Sequence, residues 1–186
     1  MDVRCREGFR KLLEKCGFAR QNRMPRLIAC GGRDQAFKEF KRELGRVASW
    51  DFVALWVDSE EPLADLERAW EHLYKRDGWV KPANAEDDQV LFMTTCMETW
   101  IVADRGALKN HFKQNLQETA LPPLHDLEFR SRYDVQEKLM HATRNCLNAY
   151  AKGSRSFEIL GKLSPDVLVQ YLPSFLRVRR ILVARL

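Results

Sequence analysis

The residues best placed to do chemistry lie in the acidic turn Asp58-Ser59-Glu60-Glu61-Pro62, which abruptly ends the nearly continuous apolar run Phe52–Val57. In a parallel sheet, ligands bind outside the carboxyl ends of the strands, and Asp58 stands at such an end. Two carboxylates spaced i, i+2 on an extended segment point the same way, so Asp58 and Glu60 can face one hard cation. Mg2+ is held in this manner, through one or two carboxylates, waters and substrate phosphates. The competing reading is a solvated turn, in which Asp, Ser and Glu are ordinary residues. Glu98 and Asp104 flank Trp100-Ile101 in an otherwise apolar segment. A carboxylate there either points to solvent or needs a partner, and joining Asp58 at a metal supplies one.

A second cluster precedes the first. Gly31-Gly32 closes the short apolar run Arg26–Cys30, and a helix opened by Arg33-Asp34 follows. Glycines at such a point let the backbone turn tightly and approach a phosphate, and the helix start offers free N–H groups to an anion. Arg33 adds a phosphate contact, or else pairs at the surface with Asp34 or Glu39. His72, His111, His125 and His141 lack zinc-ligand spacing. No G-x-S-x-G, Walker A or G-x-G-x-x-G pattern occurs, which removes the signatures of the common serine hydrolases, P-loop nucleotidases and dinucleotide enzymes.

The elements that must position these residues follow from hydrophobic period. Helical spacing marks 4–17, 33–47, 63–74, 95–112 with a break near Asp104-Arg105-Gly106, 134–150, 156–163, a segment opened by Ser164-Pro165, and 174–186. Short apolar runs at 26–30, 51–57 and 89–94 read as strands. Their hydrophobicity is continuous where alternation would mark a half-solvated sheet, so the expected fold is α/β, a mostly parallel sheet with helices on both faces. One domain spans 1–186, with a core over about 1–112 and a mostly helical extension over about 120–186.

Composition sets the wider frame. The 186 residues carry 31 Lys and Arg against 26 Asp and Glu, a net charge of +5, with 45% hydrophobic residues. That mixture builds a core and excludes disordered and fibrous classes. No run approaches the roughly 20 apolar residues of a membrane span, and the first residues have no apolar signal region. Cys5, Cys16, Cys30, Cys96 and Cys146 are odd in number and scattered, which reads as reduced thiols packed in the core of a cytoplasmic protein. Trp79 is the tryptophan expected at the surface. Arginines gather at both ends, Arg177, Arg179 and Arg180 among them, and suit a polyanion such as nucleic acid.

Several ordered blocks resemble a known family. Cys5-Arg6-Glu7-Gly8-Phe9, Ala29-Cys30-Gly31-Gly32-Arg33-Asp34, Val57-Asp58-Ser59-Glu60, His72-Leu73, Arg76-Asp77-Gly78-Trp79, Asp87-Asp88-Gln89, Cys96-Met97-Glu98-Thr99-Trp100, Ala103-Asp104-Arg105 and Lys152 with Ser156-Phe157-Glu158-Ile159-Leu160 resemble the bacterial domain of unknown function 4276 family. That family is similar to Toprim proteins, the fold of topoisomerases, primases and overcoming-lysogenization-defect nucleases. The resemblance implies a Toprim-like fold whose acidic residues bind Mg2+ and act on phosphodiesters. Asp58 and Glu60 match the acidic pair, with Glu in place of its second Asp, and Glu98 and Asp104 match later acidic blocks; for a nuclease built this way Arg33 and Lys152 are the expected phosphate contacts. It also implies a nuclease acting in phage defence beside an ATPase partner, or a non-catalytic module that docks on an ATPase or nucleic acid. The family's upstream Glu-Gly-Gly block and first strand would precede Met1. The expectation is therefore a late-assigned start or a sheet lacking its N-terminal strand and general acid/base Glu, with Glu7, inside the following helix, no substitute. A sheet edge left open in this way could be covered by strand pairing in a homodimer.

Overall fold

The computed structural model describes residues 3–20, 22–46 and 51–186. Val47, read as part of the second helix, and Trp50 lie outside the described residues. The chain runs α1 (Val3–Lys15), α2 (Arg33–Leu44), β1 (Leu55–Asp58), α3 (Ala69–Asp77), β2 (Val90–Met93), α4 (Met97–Ala103), α5 (Arg105–Phe112), α6 (Arg132–Thr143), α7 (Ser154–Leu160), α8 (Pro165–Tyr171) and α9 (Pro173–Arg185). The architecture is mixed, helix-rich, with a small parallel sheet.

Among the described residues the sheet has two strands, β1 and β2, paired in parallel with Leu55 opposite Val90 and Asp58 opposite Met93. Side chains alternate between its faces. Leu55, Val57, Val90 and Phe92 pack with Phe37 and Phe40 of α2 and Trp70 and Leu73 of α3. Leu91 turns the other way, onto Leu13 of α1 and Val178, Ile181 and Leu182 of α9. Both faces are thus covered by helices, which is why these strands are apolar without interruption.

The expected strand at Arg26–Cys30 does not form. The segment has no regular secondary structure and its residues are mostly half-buried, with Leu27 against the cluster around Phe18 and Leu91. An apolar run reports burial, and burial was satisfied here without ladder pairing. Two helices begin or end elsewhere than expected. The one expected over 63–74 starts only at Ala69, and α6 stops at Thr143. The break at Asp104 is real: its side chain caps α5 by accepting the Ala107 N–H at 2.9 Å.

The remaining helices form the largest apolar cluster, around Trp100, Ile101, Leu108, Leu139, Ile159 and Phe175. The ring of Trp100 meets Phe175 edge-on at 4.9 Å and Trp56 at 6.0 Å, joining this cluster to the sheet. Helix α1 lies close against α7: a Cβ at Gly8 would overlap the Phe157 carbonyl oxygen, so only glycine permits that approach. Arg177 of α9 is buried and donates to the carbonyls of Val90 and Asp87, both at 2.8 Å, and to Glu67. Arg180 pairs with Glu67, and Arg179 lies 3.5 Å from Asp166. The last helix thus uses Arg177 to clasp the start of β2, which removes it from any nucleic-acid surface.

Candidate active site at the carboxyl ends of the strands

Asp58 closes β1 at the edge where β2 runs into α4. Beyond it the two segments stay bonded, Ser59 N–H to the Met93 carbonyl at 3.1 Å and Glu60 N–H to the Thr95 carbonyl at 2.8 Å. The backbone of Met97, at the first position of α4, lies where it favours the charged form of the Asp58 carboxylate. Its Oδ1 is buried and has no hydrogen-bond partner. Burial, followed by the charge of Glu98, pushes the Asp58 carboxyl up to about 7, against the opposing pull of Arg33, Lys152 and the Met97 backbone.

Glu98 is 1% exposed on α4. Tyr150 donates its hydroxyl to Oε1 at 2.5 Å and Gln136 donates its amide to Oε2 at 3.2 Å. The Tyr150 oxygen also lies 2.7 Å from Ser156 Oγ, which accepts the Gly153 N–H. Burial first, then the Glu98 charge, drives the Tyr150 phenol upward, so it stays protonated and donating. A buried Glu needs such partners, and here they come from α6, α7 and the turn between them. That turn carries Lys152, exposed and near enough to act on Asp58.

Glu60 departs from the expected i, i+2 arrangement. Its φ of 69° turns the chain out of the extended path on which alternate carboxylates share a face. The carboxylate pairs instead with Arg132 and, at 3.8 Å, with Arg76. His72, whose Nε2 lies 2.9 Å from the Ser59 carbonyl, stands one helical turn before Arg76 on α3, so one face of α3 grips the whole acidic turn. Asp104 departs as well. One oxygen caps α5 and the other accepts the Ser164 N–H at 2.8 Å, so it ties α5 to the start of α8.

Gly31 and Gly32 are exposed ahead of α2, Gly31 with φ 86° and Gly32 as an N-cap residue with no side-chain cap. Arg33 does not pair with Asp34 or Glu39. It bonds Asp77 at 2.5 Å, lies over Trp79 at 5.1 Å, and its Nη1 is buried without a hydrogen-bond partner. Trp79, expected at the surface, is 8% exposed and stacked on Phe37 at 4.5 Å, where it seats Arg33.

The structure therefore joins Asp58 and Glu98 with Arg33 and Lys152, adds Arg76, Arg132, Asp77, Tyr150 and Gln136 around them, and gives Glu60 and Asp104 bonding duties. The residues missed by sequence reasoning left unequal signals. Arg76 stood in the sequence only within the block Arg76-Asp77-Gly78-Trp79. Arg132 and Tyr150 reach the site from distant segments and left none. Among the described residues no three His, Cys, Asp or Glu side chains group to hold a metal. Asp58 and Glu98 are two buried carboxylates that act on each other.

The grouping lies at the carboxyl ends of the two parallel strands of a mixed, helix-rich protein. The chain belongs to the family described as Domain of unknown function (DUF4276), whose model matches residues 6–182. No curated protein and no solved structure matches it. No helix among the described residues is long and apolar enough to cross a membrane.

Proposed function

We propose that the chain is a Mg2+-dependent, Toprim-like phosphodiester-processing protein in which Asp58 and Glu98 hold the cation and Arg33 and Lys152 contact the phosphate. One observation carries the reading: a buried, unpartnered Asp58 Oδ1 beside a second buried carboxylate. Two buried carboxylates that raise each other's cost of ionisation are relieved by a proton or by a cation, and the free oxygen offers the cation a ligand. Bound there, Mg2+ would polarise a phosphoryl oxygen and acidify a water.

The chain's own residues do the rest. Tyr150 and Gln136 fix the direction of Glu98. The Asp77 partner and the Trp79 face hold Arg33 with an unused Nη1, and Lys152 adds positive charge that acts on Asp58. Arg132 and Arg76 neutralise Glu60 and so spare an incoming phosphate its repulsion. An ATPase partner in phage defence is the setting this reading extends to.

The engagement of Glu60 by Arg132 favours a second reading, a non-catalytic module that binds phosphate-bearing partners through the same cations. Incubation with Mg2+ or Mn2+ and plasmid, single-stranded DNA or tRNA separates the two. The first reading expects metal-dependent cleavage that Asp58→Asn and Glu98→Gln abolish. Equal cleavage by wild type and Asp58→Asn overturns it, and binding without cleavage favours the second.

A further inference from the structure

Beside the site, the segment 129–133 presents two large aromatic rings to solvent, Phe129 at 70% and Tyr133 at 68% exposure. Exposed rings so close in sequence are not explained by packing. The segment is fastened to the strand ends at two points. Thr95 Oγ1 donates to the Arg130 carbonyl at 3.2 Å, and Arg132 pairs with Glu60. The Arg132 guanidinium also lies over the Tyr133 ring, 4.8 Å from its centroid, and bonds its hydroxyl at 3.0 Å. That contact orders the ring while leaving most of it open. The hydrogen bond and charge of Arg132 hold the phenol below its ordinary range, with further contributions from Arg76 and Lys152. Lys152 acts on Asp58 as well, so the ring and the carboxylate share one cationic neighbour.

Resting on the phosphodiester reading above, we infer that Tyr133, backed by Arg132, is a stacking platform for an unpaired base, and that the substrate strand is single-stranded at this point. A cation-rimmed aromatic next to phosphate-binding residues is the arrangement by which single strands are held without sequence readout. A duplex keeps its bases inside the stack and offers the ring no free face. Charge complementarity favours this occupant, since Arg132 lies over the ring, the charges of Arg76 and Lys152 act on it, and a nucleotide strand supplies phosphates to such cations.

The test is anisotropy of labelled oligo-dT, oligo-U and a matched duplex with metal-free protein, at low and physiological salt. Tyr133→Ala is expected to weaken single-strand binding about tenfold. Tyr133→Phe retains it, and duplex binding is unmoved by either change. Because Tyr133 is exposed, both variants should melt as wild type does, which separates stacking from folding. Unchanged single-strand affinity in Tyr133→Ala overturns the platform. If Lys152→Ala still weakens binding in that case, the phosphate reading stands alone. Equal affinity of wild type for duplex and single strand also overturns the platform, and absence of binding to either overturns both.

Discussion

Glu98, held by Tyr150 and Gln136, acts on Asp58 at the end of β1, and its charge reinforces the burial that raises the Asp58 carboxyl to about 7. The arrangement costs stability whenever Asp58 is ionised with nothing to balance it. Proteins retain such costs mainly where a ligand offsets them. The proposed function rests on this pair.

That cost has a sign that pH reveals. The folded-state value of Asp58, about 7, lies above its ordinary 3.8, so its contribution to stability is complete below about 3.8 and is lost as pH rises through 7. In metal-free buffer, Asp58→Asn should melt higher than wild type at pH 8, with the gap closing towards pH 5. Thermal melts across that range check it, and a parallel pair of curves counts against the assigned environment.

Arg177 is a structural arginine. Its guanidinium satisfies two carbonyls at the start of β2 while 5% exposed. Truncation to Ala should cost about 3 kcal/mol, the range for breaking a buried charged network. Chemical denaturation measures this. Full stability with reduced nucleic-acid affinity would return Arg177 to the surface role suggested by its place in a basic helix.

Gly8→Ala should destabilise by about 1–3 kcal/mol, because the added methyl meets the fixed Phe157 carbonyl on α7. Gly161→Ala is the milder comparison, since its nearest neighbours, Lys11 Cδ at 3.2 Å and Cβ at 3.3 Å, make a tight contact without the overlap found at Gly8. Equal melting temperatures for the two variants would refute the close α1–α7 approach.

Much of the fold was legible. Continuous apolar runs at β1 and β2 announced a parallel pair buried on both faces, and Asp104-Arg105-Gly106 marked the break between α4 and α5. The site was legible at Asp58 and Glu98, since a strand-end Asp and an acidic residue in an apolar helix both demand partners. The rest depended on tertiary reach. Arg26–Cys30 has a strand's composition but no ladder partner among the described residues. Period-2 logic placed Glu60 beside Asp58 until one positive φ redirected it to Arg132. Arg177 read as surface charge because a helix's basic face is usually solvated, and only the approach of β2 shows what it serves.

The most direct test of the proposed Asp58–Glu98 cation site is a Mn2+ titration followed by electron paramagnetic resonance on wild type, Asp58→Asn and Glu98→Gln. One ion bound per chain in wild type, competed by Mg2+ and lost or strongly weakened in both variants, is the predicted result. Binding of equal strength in wild type and Asp58→Asn, or no binding by wild type, would contradict the account.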